Sequence, residues 1–214
     1  MSPASTSELV LTGLACGRGE RLLFDGLDLV APAGQIVWVR GANGRGKTTL
    51  LRTLAGLSAP AAGSFELRGD VALHAPLYLG HANALKDDLT VAESLRFLLR
   101  LDGADDAAAA LAALDLLGMA SRRDAPVRTL SQGQRRRVAL ARLAAHSRPA
   151  LWLLDEPYDA LDAPGAAVLD ALLTAHARRG GIVVIASHLP LAIADPLPRE
   201  LSLEAPAASD VVAA

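Results

Sequence analysis

Cysteine is nearly missing from the 214 residues: Cys16 stands alone, so the chain can form no internal disulfide. Together with residues 1–7, which have neither the charged start nor the apolar run of a secretory signal, this leads us to expect a cytosolic home. Long hydrophobic runs are also missing. None approaches the roughly 18 to 20 uninterrupted apolar residues that a membrane-spanning helix needs, so the chain is expected not to cross a bilayer. Charge of one sign is lacking too, since 21 basic residues face 23 acidic ones for a net charge of -2. No overall basic field invites nucleic acid, and no acidic tail suggests a metal buffer. Aromatic residues are only 3%, but 51% hydrophobic residues and a mean hydropathy of +0.30 supply enough apolar material for a packed core. The length fits one domain, or one domain with an inserted lobe. Lysine is scarce as well: only Lys47 and Lys86 occur beside 19 arginines.

What is present alternates in type along the chain. Residues 8–15 and 22–30 read as two short strands with turn chemistry at Gly17 and Gly19, predicting a small antiparallel lobe. Ile36-Val37-Trp38-Val39 is an apolar run followed by a glycine-rich loop and a helix-like stretch at 48–55, the opening of a parallel α/β unit. More strand is expected within 64–80. From Thr90 the pattern turns helical: Thr90 and Glu93 form a capping pair before a helix to Leu101, and the Ala-rich stretch 105–117 has high helix propensity. Leu151–Leu154 and Ile182–Ile185 are continuous apolar runs, as expected of strands buried on both faces, with a helix near 163–179 between them. After Leu203 a frayed Ala/Pro/Ser-rich tail is expected.

Three segments carry chemistry. Gly41-Ala42-Asn43-Gly44-Arg45-Gly46-Lys47-Thr48 matches G-x-x-x-x-G-K-[ST], with Thr49 next in the helix. Its glycines let backbone N–H groups converge on phosphate oxygens, Lys47 can reach the β- and γ-phosphates, and Thr48 offers a hydroxyl to Mg²⁺. The positive end of the following helix faces the same anion. At Leu151–Glu156, four apolar residues are followed by two carboxylates where a strand emerges. Asp155 is suited to hold Mg²⁺ and Glu156 to polarise an attacking water. Between these lies Leu130-Ser131-Gln132-Gly133-Gln134, where Ser131 is read as the cap of a helix with a glycine in its first turn.

This order resembles the nucleotide-binding subunits of ABC transporters. The resemblance covers about residues 8–204: Walker A at 41–48, a signature at Leu130–Gln134, Walker B at 151–155 with Glu156 next, Ala160-Leu161-Asp162 as the D-loop, and His188 as the switch histidine. It implies an α/β fold, a P-loop NTPase core with a parallel sheet, an N-terminal antiparallel β lobe and an inserted α-helical subdomain at about 87–146. The whole would be a single domain over 8–204, with 205–214 as a flexible tail. It also implies an ATPase using ATP and Mg²⁺, and a homodimer that closes on ATP. In that dimer Ser131, Gly133 and Gln134 bind the partner's nucleotide, Asp162 links the two sites and His188 contacts the γ-phosphate and water.

Two departures narrow the branch. Where the family usually has a glutamine, eight residues before Leu89, this chain has His81 in Tyr78-Leu79-Gly80-His81, and His81 is expected to act in the glutamine's place. That Gly-His pair, the short chain and the tract 130–143 resemble the ATP-binding subunits of the cytochrome c maturation system, which handle haem. Integral membrane subunits of that system are then the implied partners, and the cytoplasmic face of the cell membrane the implied place. They are expected to dock in a groove lined by residues 77–100, including Tyr78, Leu85 and Phe97. The second departure is that no aromatic stands near Cys16–Arg18 to stack on adenine, leaving Arg18 to supply a cation over the ring.

His74, His146 and His176 lack metal-ligand spacing and are expected at the surface or its boundary, and Arg135–Arg137 read as a solvated helix face. No nucleic-acid partner is expected. The alternative within the family is an ATPase subunit exporting another substrate. From another class come a soluble ABC-type ATPase acting on ribosomes or DNA, and a regulatory nucleotide-binding module without turnover.

Overall fold

The computed structural model describes residues 7–203 apart from 20, 105, 147 and 149. The expected tail at 205–214 lies outside the described residues. Two sheets form the frame. β1 (Glu8–Arg18), β2 (Arg21–Pro32) and β4 (Ala62–Arg68) make an antiparallel sheet in the order β2-β1-β4. The first two strands run further than expected because Cys16 and Gly17 still pair with Phe24 and Leu22, and Arg18 with Arg21. Between 64 and 80, strand is interrupted by a 3-10 turn at Gly69–Leu73 before β5 (Leu77–Leu79).

The second sheet has five strands in the order β5-β6-β7-β3-β8, all parallel, with β3 at Ile36–Arg40, β6 at Leu151–Asp155, β7 at Ile182–Ala186 and β8 at Arg199–Ser202. Edge strand β8 carries no apolar run, which is why the sequence pattern did not announce it. β6 and β7 are buried at every residue, as both faces of a parallel sheet must be covered when its crossovers are helical. Alternate side chains join different cores. Val37, Leu151, Leu153, Ile182 and Val184 pack with α1 (Lys47–Leu54) and the antiparallel sheet. Ile36, Trp152, Leu154, Val183 and Ile185 pack with α2 (Val91–Leu101), α3 (Ala107–Leu116), α4 (Gln132–Ala144) and α5 (Ala163–Arg178).

Side chains cap the starts of α2, α4 and α5. Thr90 and Glu93 form a capping box at α2, Ser131 and Gln134 another at α4, and Asp162 caps α5 by accepting from the Gly165 N–H. One histidine departs from expectation. His176 is fully buried, its ring stacked on Trp152 with centroids 3.6 Å apart and its Nε2 2.9 Å from the Ala150 carbonyl. Burial pushes its pKa down to about 4, so it sits neutral in the core. The other tryptophan, Trp38, is half-buried on β3: its indole N–H donates to the Ser187 carbonyl at 2.9 Å, and the Arg40 guanidinium lies 4.8 Å over its ring.

Candidate nucleotide site

The glycine-rich loop joins β3 to α1. Its tightest requirement is at Gly46, with φ of 98°, where a Cβ would come within 3.0 Å of the Phe24 ring. Only glycine takes that left-handed turn without strain, and the turn leaves the first backbone N–H groups of α1 without helical partners. Lys47 is 9% exposed, and its ammonium donates to the Gly41 carbonyl at 2.7 Å. Ala42 accepts from the Arg45 N–H, closing the loop. Asn43, Gly44, Gly46, Lys47, Thr48 and Thr49 line a cleft of about 810 Å³ together with Arg18, Arg21, Asp155 and Glu156. Gly41, Ala42 and Arg45 shape the loop without lining that cleft. No aromatic side chain lines it among the described residues, and Arg18 and Arg21 stand at the tip of the β1–β2 hairpin instead.

Walker B meets Walker A through one hydrogen bond: the Thr48 hydroxyl donates to Asp155 Oδ2 at 2.8 Å. Burial pushes the Asp155 carboxyl above its usual range, opposed by the Thr48 hydrogen bond and reinforced by the Glu156 charge. A buried carboxylate beside a hydroxyl, short of compensating charge, is a hard-oxygen donor set of the kind that suits Mg²⁺.

Glu156 adopts φ of 46°, unusual for a residue with a side chain, and its N–H donates to the Ala186 carbonyl at 2.9 Å. This turn carries its carboxylate to His188, whose backbone N–H and Nδ1 lie 3.1 and 3.0 Å from Oε2. The second contact calls for a proton on Nδ1. Glu156, Asp159 and His188 bring ligand-capable atoms within 4.8 Å of one another. His81 reaches this group from the other side, with Nδ1 3.6 Å from Asp159 Oδ2. It lines a neighbouring groove of about 300 Å³, which shares Thr48, Arg52 and Asp155 with the cleft.

Ser131, Gly133 and Gln134 do not line the cleft of their own chain. Gly133 packs against the turn that follows Walker B, where a Cβ would lie 2.7 Å from the Ala160 carbonyl oxygen. Asp162, in that same turn, pairs with Arg137 Nη2 at 2.7 Å, which holds its carboxyl below the usual range. The three arginines are therefore not a solvated face. Arg135 pairs with Asp87, Arg136 is buried, and Arg137 spans the Leu117 carbonyl and Asp162. Sequence reasoning missed Arg136, Asn83 and Asp159; the only signal was their proximity to motifs, because burial of an arginine in a basic run has no periodic signature.

The sequence pattern of the ABC transporter family matches residues 24–159, more than half of the chain. The chain belongs to that family. Among curated proteins it is 47% identical over 187 residues to the cytochrome c biogenesis ATP-binding export protein CcmA of Pseudomonas savastanoi pv. phaseolicola, a match that covers 84% of this chain and 87% of that one. It is 43% identical to the CcmA of Shewanella frigidimarina, covering 95% and 98% of the two chains. Among solved structures, one described as an ABC transporter ATP-binding protein from Pyrococcus furiosus superposes with a TM-score of 0.77 at 25% identity, over 92% of this chain and 97% of that one. No described helix is long and apolar enough to cross a membrane.

Proposed function

We propose that this chain is the ATP-binding and ATP-hydrolysing subunit of an export complex that serves cytochrome c biogenesis, driving haem export or the release of a haem-loaded chaperone. The observation that carries the hydrolytic part is the convergence of Thr48, Asp155, Glu156 and His188 at one cleft edge. Lys47 and the N–H groups opening α1 bind the β- and γ-phosphates, the ammonium having donors to spare beyond the one it gives the Gly41 carbonyl. Thr48 and Asp155 would hold Mg²⁺, which when bound neutralises charge on the phosphates. Glu156, fixed by the two His188 contacts, orients the attacking water and draws its proton, while His188 faces the γ-phosphate. His81 completes the set from the adjacent groove.

Each site is built from two copies of the chain. Ser131, Gly133 and Gln134 carry a capped helix N-terminus that does not face its own cleft, and in a head-to-tail homodimer it meets the partner's γ-phosphate. Asp162 lies between the two sites. Arg18 and Arg21 hold the base in place of an aromatic ring.

Integral membrane subunits of the cytochrome c maturation system are the partners that supply the export path, on the cytoplasmic face of the membrane, and no nucleic acid takes part. Their docking site is the groove bounded by Tyr78, His81 and Leu98, together with the exposed Phe97 that precedes Leu98 on α2. Leu85 is a poor probe of that site because it packs against the core, whereas Phe97 is 41% exposed. Phe97→Asp is therefore expected to fold and bind ATP normally. It should lose co-sedimentation with membranes and fail to support assembly of c-type cytochromes in cells. Wild-type membrane association and cytochrome assembly by that variant would place the docking surface elsewhere. Intact c-type cytochromes in cells lacking the whole protein would favour export of another substrate.

A further inference from the structure

Arg136, the middle of the three arginines on α4, turns inward and is only 3% exposed. All five of its N–H donors are engaged. Nε donates to the Pro157 carbonyl at 3.1 Å. Nη1 donates to the Gly80 carbonyl at 3.0 Å and to Asn83 Oδ1 at 3.1 Å. Nη2 donates to the carbonyls of Asp155 at 3.0 Å and Glu156 at 2.6 Å. None of these five acceptors is a carboxylate. Burial accordingly depresses its pKa, with only more distant relief from Asp159, Asp155 and Glu156.

A cation buried without a direct counter-ion is a costly way to fill space, and an apolar side chain of similar volume would serve packing better. The fixed planar fork is what the position uses. One arm of the fork grips residues 80 and 83, which flank His81 and line the groove of about 300 Å³. The other arm and Nε grip three successive carbonyls where β6 ends, including that of Glu156 in its left-handed conformation. Such a conformation persists only where surrounding contacts over-determine it.

We propose that Arg136 is a positioning residue that fixes the backbone under Glu156 and transmits displacement of the 80–83 loop to it, so that the groove controls the geometry of the attacking water. The inference rests on the reading of Glu156 as the residue that activates water. Lysine has three donors and no fork, so Arg136→Lys cannot hold both segments.

The test is steady-state hydrolysis of Mg-ATP by the full chain, with ATP affinity measured separately by calorimetry. For Arg136→Lys we expect kcat to fall about 10- to 100-fold, as misplacement of reacting groups by about 1 Å does, while KM and ATP affinity stay within about threefold. A role in packing alone would lower the melting temperature and leave kcat of the folded protein unchanged. Asn83→Ala removes one acceptor from a half-buried loop and serves if Arg136 variants fail to fold. It should lower kcat about 3- to 10-fold without raising KM. Wild-type kcat in folded Arg136→Lys, or in Asn83→Ala where Arg136→Lys does not fold, overturns the proposal. So does a parallel loss of ATP affinity in the variant that decides. Glu156→Gln, assayed alongside, separates the two readings: normal turnover there removes the role of Glu156 itself. Loss of turnover there, with none in the Arg136 and Asn83 variants, removes only the positioning role.

Discussion

Glu156→Gln is expected to bind Mg-ATP with near wild-type affinity and to hydrolyse it roughly 100- to 10,000-fold more slowly, the usual contribution of a positioned general base. The substitution keeps the shape of the side chain, and the amide oxygen can still accept from the His188 backbone N–H, now 3.1 Å from Oε2. What it loses is the charge that draws a proton from water. If each site is shared between two copies as proposed, closure precedes hydrolysis and the variant should accumulate as an ATP-bound homodimer. Gel filtration with and without Mg-ATP, next to a phosphate-release assay, reads both properties. Phosphate release at the wild-type rate would remove Glu156 from the mechanism. A chain that stays monomeric with ATP bound would remove the shared site.

Lys47→Ala should fail one step earlier. A hydrogen bond from a charged donor is worth about 1.5 to 3 kcal/mol, which corresponds to roughly a 10- to 150-fold loss of ATP affinity. The ammonium donates to the Gly41 carbonyl at 2.7 Å, an acceptor that belongs to the loop itself. Its removal therefore leaves the α1 entry and the Thr48–Asp155 contact in place. The fold should survive, with thermal unfolding close to wild type, while titration calorimetry shows the weakened binding. Unchanged affinity would mean that the phosphates are held by the backbone N–H groups alone.

The parallel sheet was legible because β3, β6 and β7 are short apolar runs bounded by turns, and the phosphate loop because glycine, lysine and threonine stand at fixed offsets between a strand and a helix. The capping pair at Thr90 and Glu93 and the cap at Ser131 announced two helix starts through chemistry that acts within a few residues. Contacts across the fold were not legible. Arg136 looks like its neighbours in the sequence, and only the packing of α4 against the end of β6 turns it inward. His176 was expected near the surface because a lone histidine gives no sign of the indole that will lie against it. β8 was missed because an edge strand with two charged residues has neither alternation nor an apolar run.

The placement of the two tryptophans gives the molecule an uneven optical response. Trp152 is sealed in the core against His176, so its emission should be blue-shifted and indifferent to solvent quenchers. Trp38 is half-buried, with its indole N–H bonded to Ser187, the residue before His188. Any movement of the His188 segment that lengthens this bond alters the surroundings of one fluorophore and leaves the other as a constant background. The protein thus carries an intrinsic reporter of its His188 segment, readable in solution without a label.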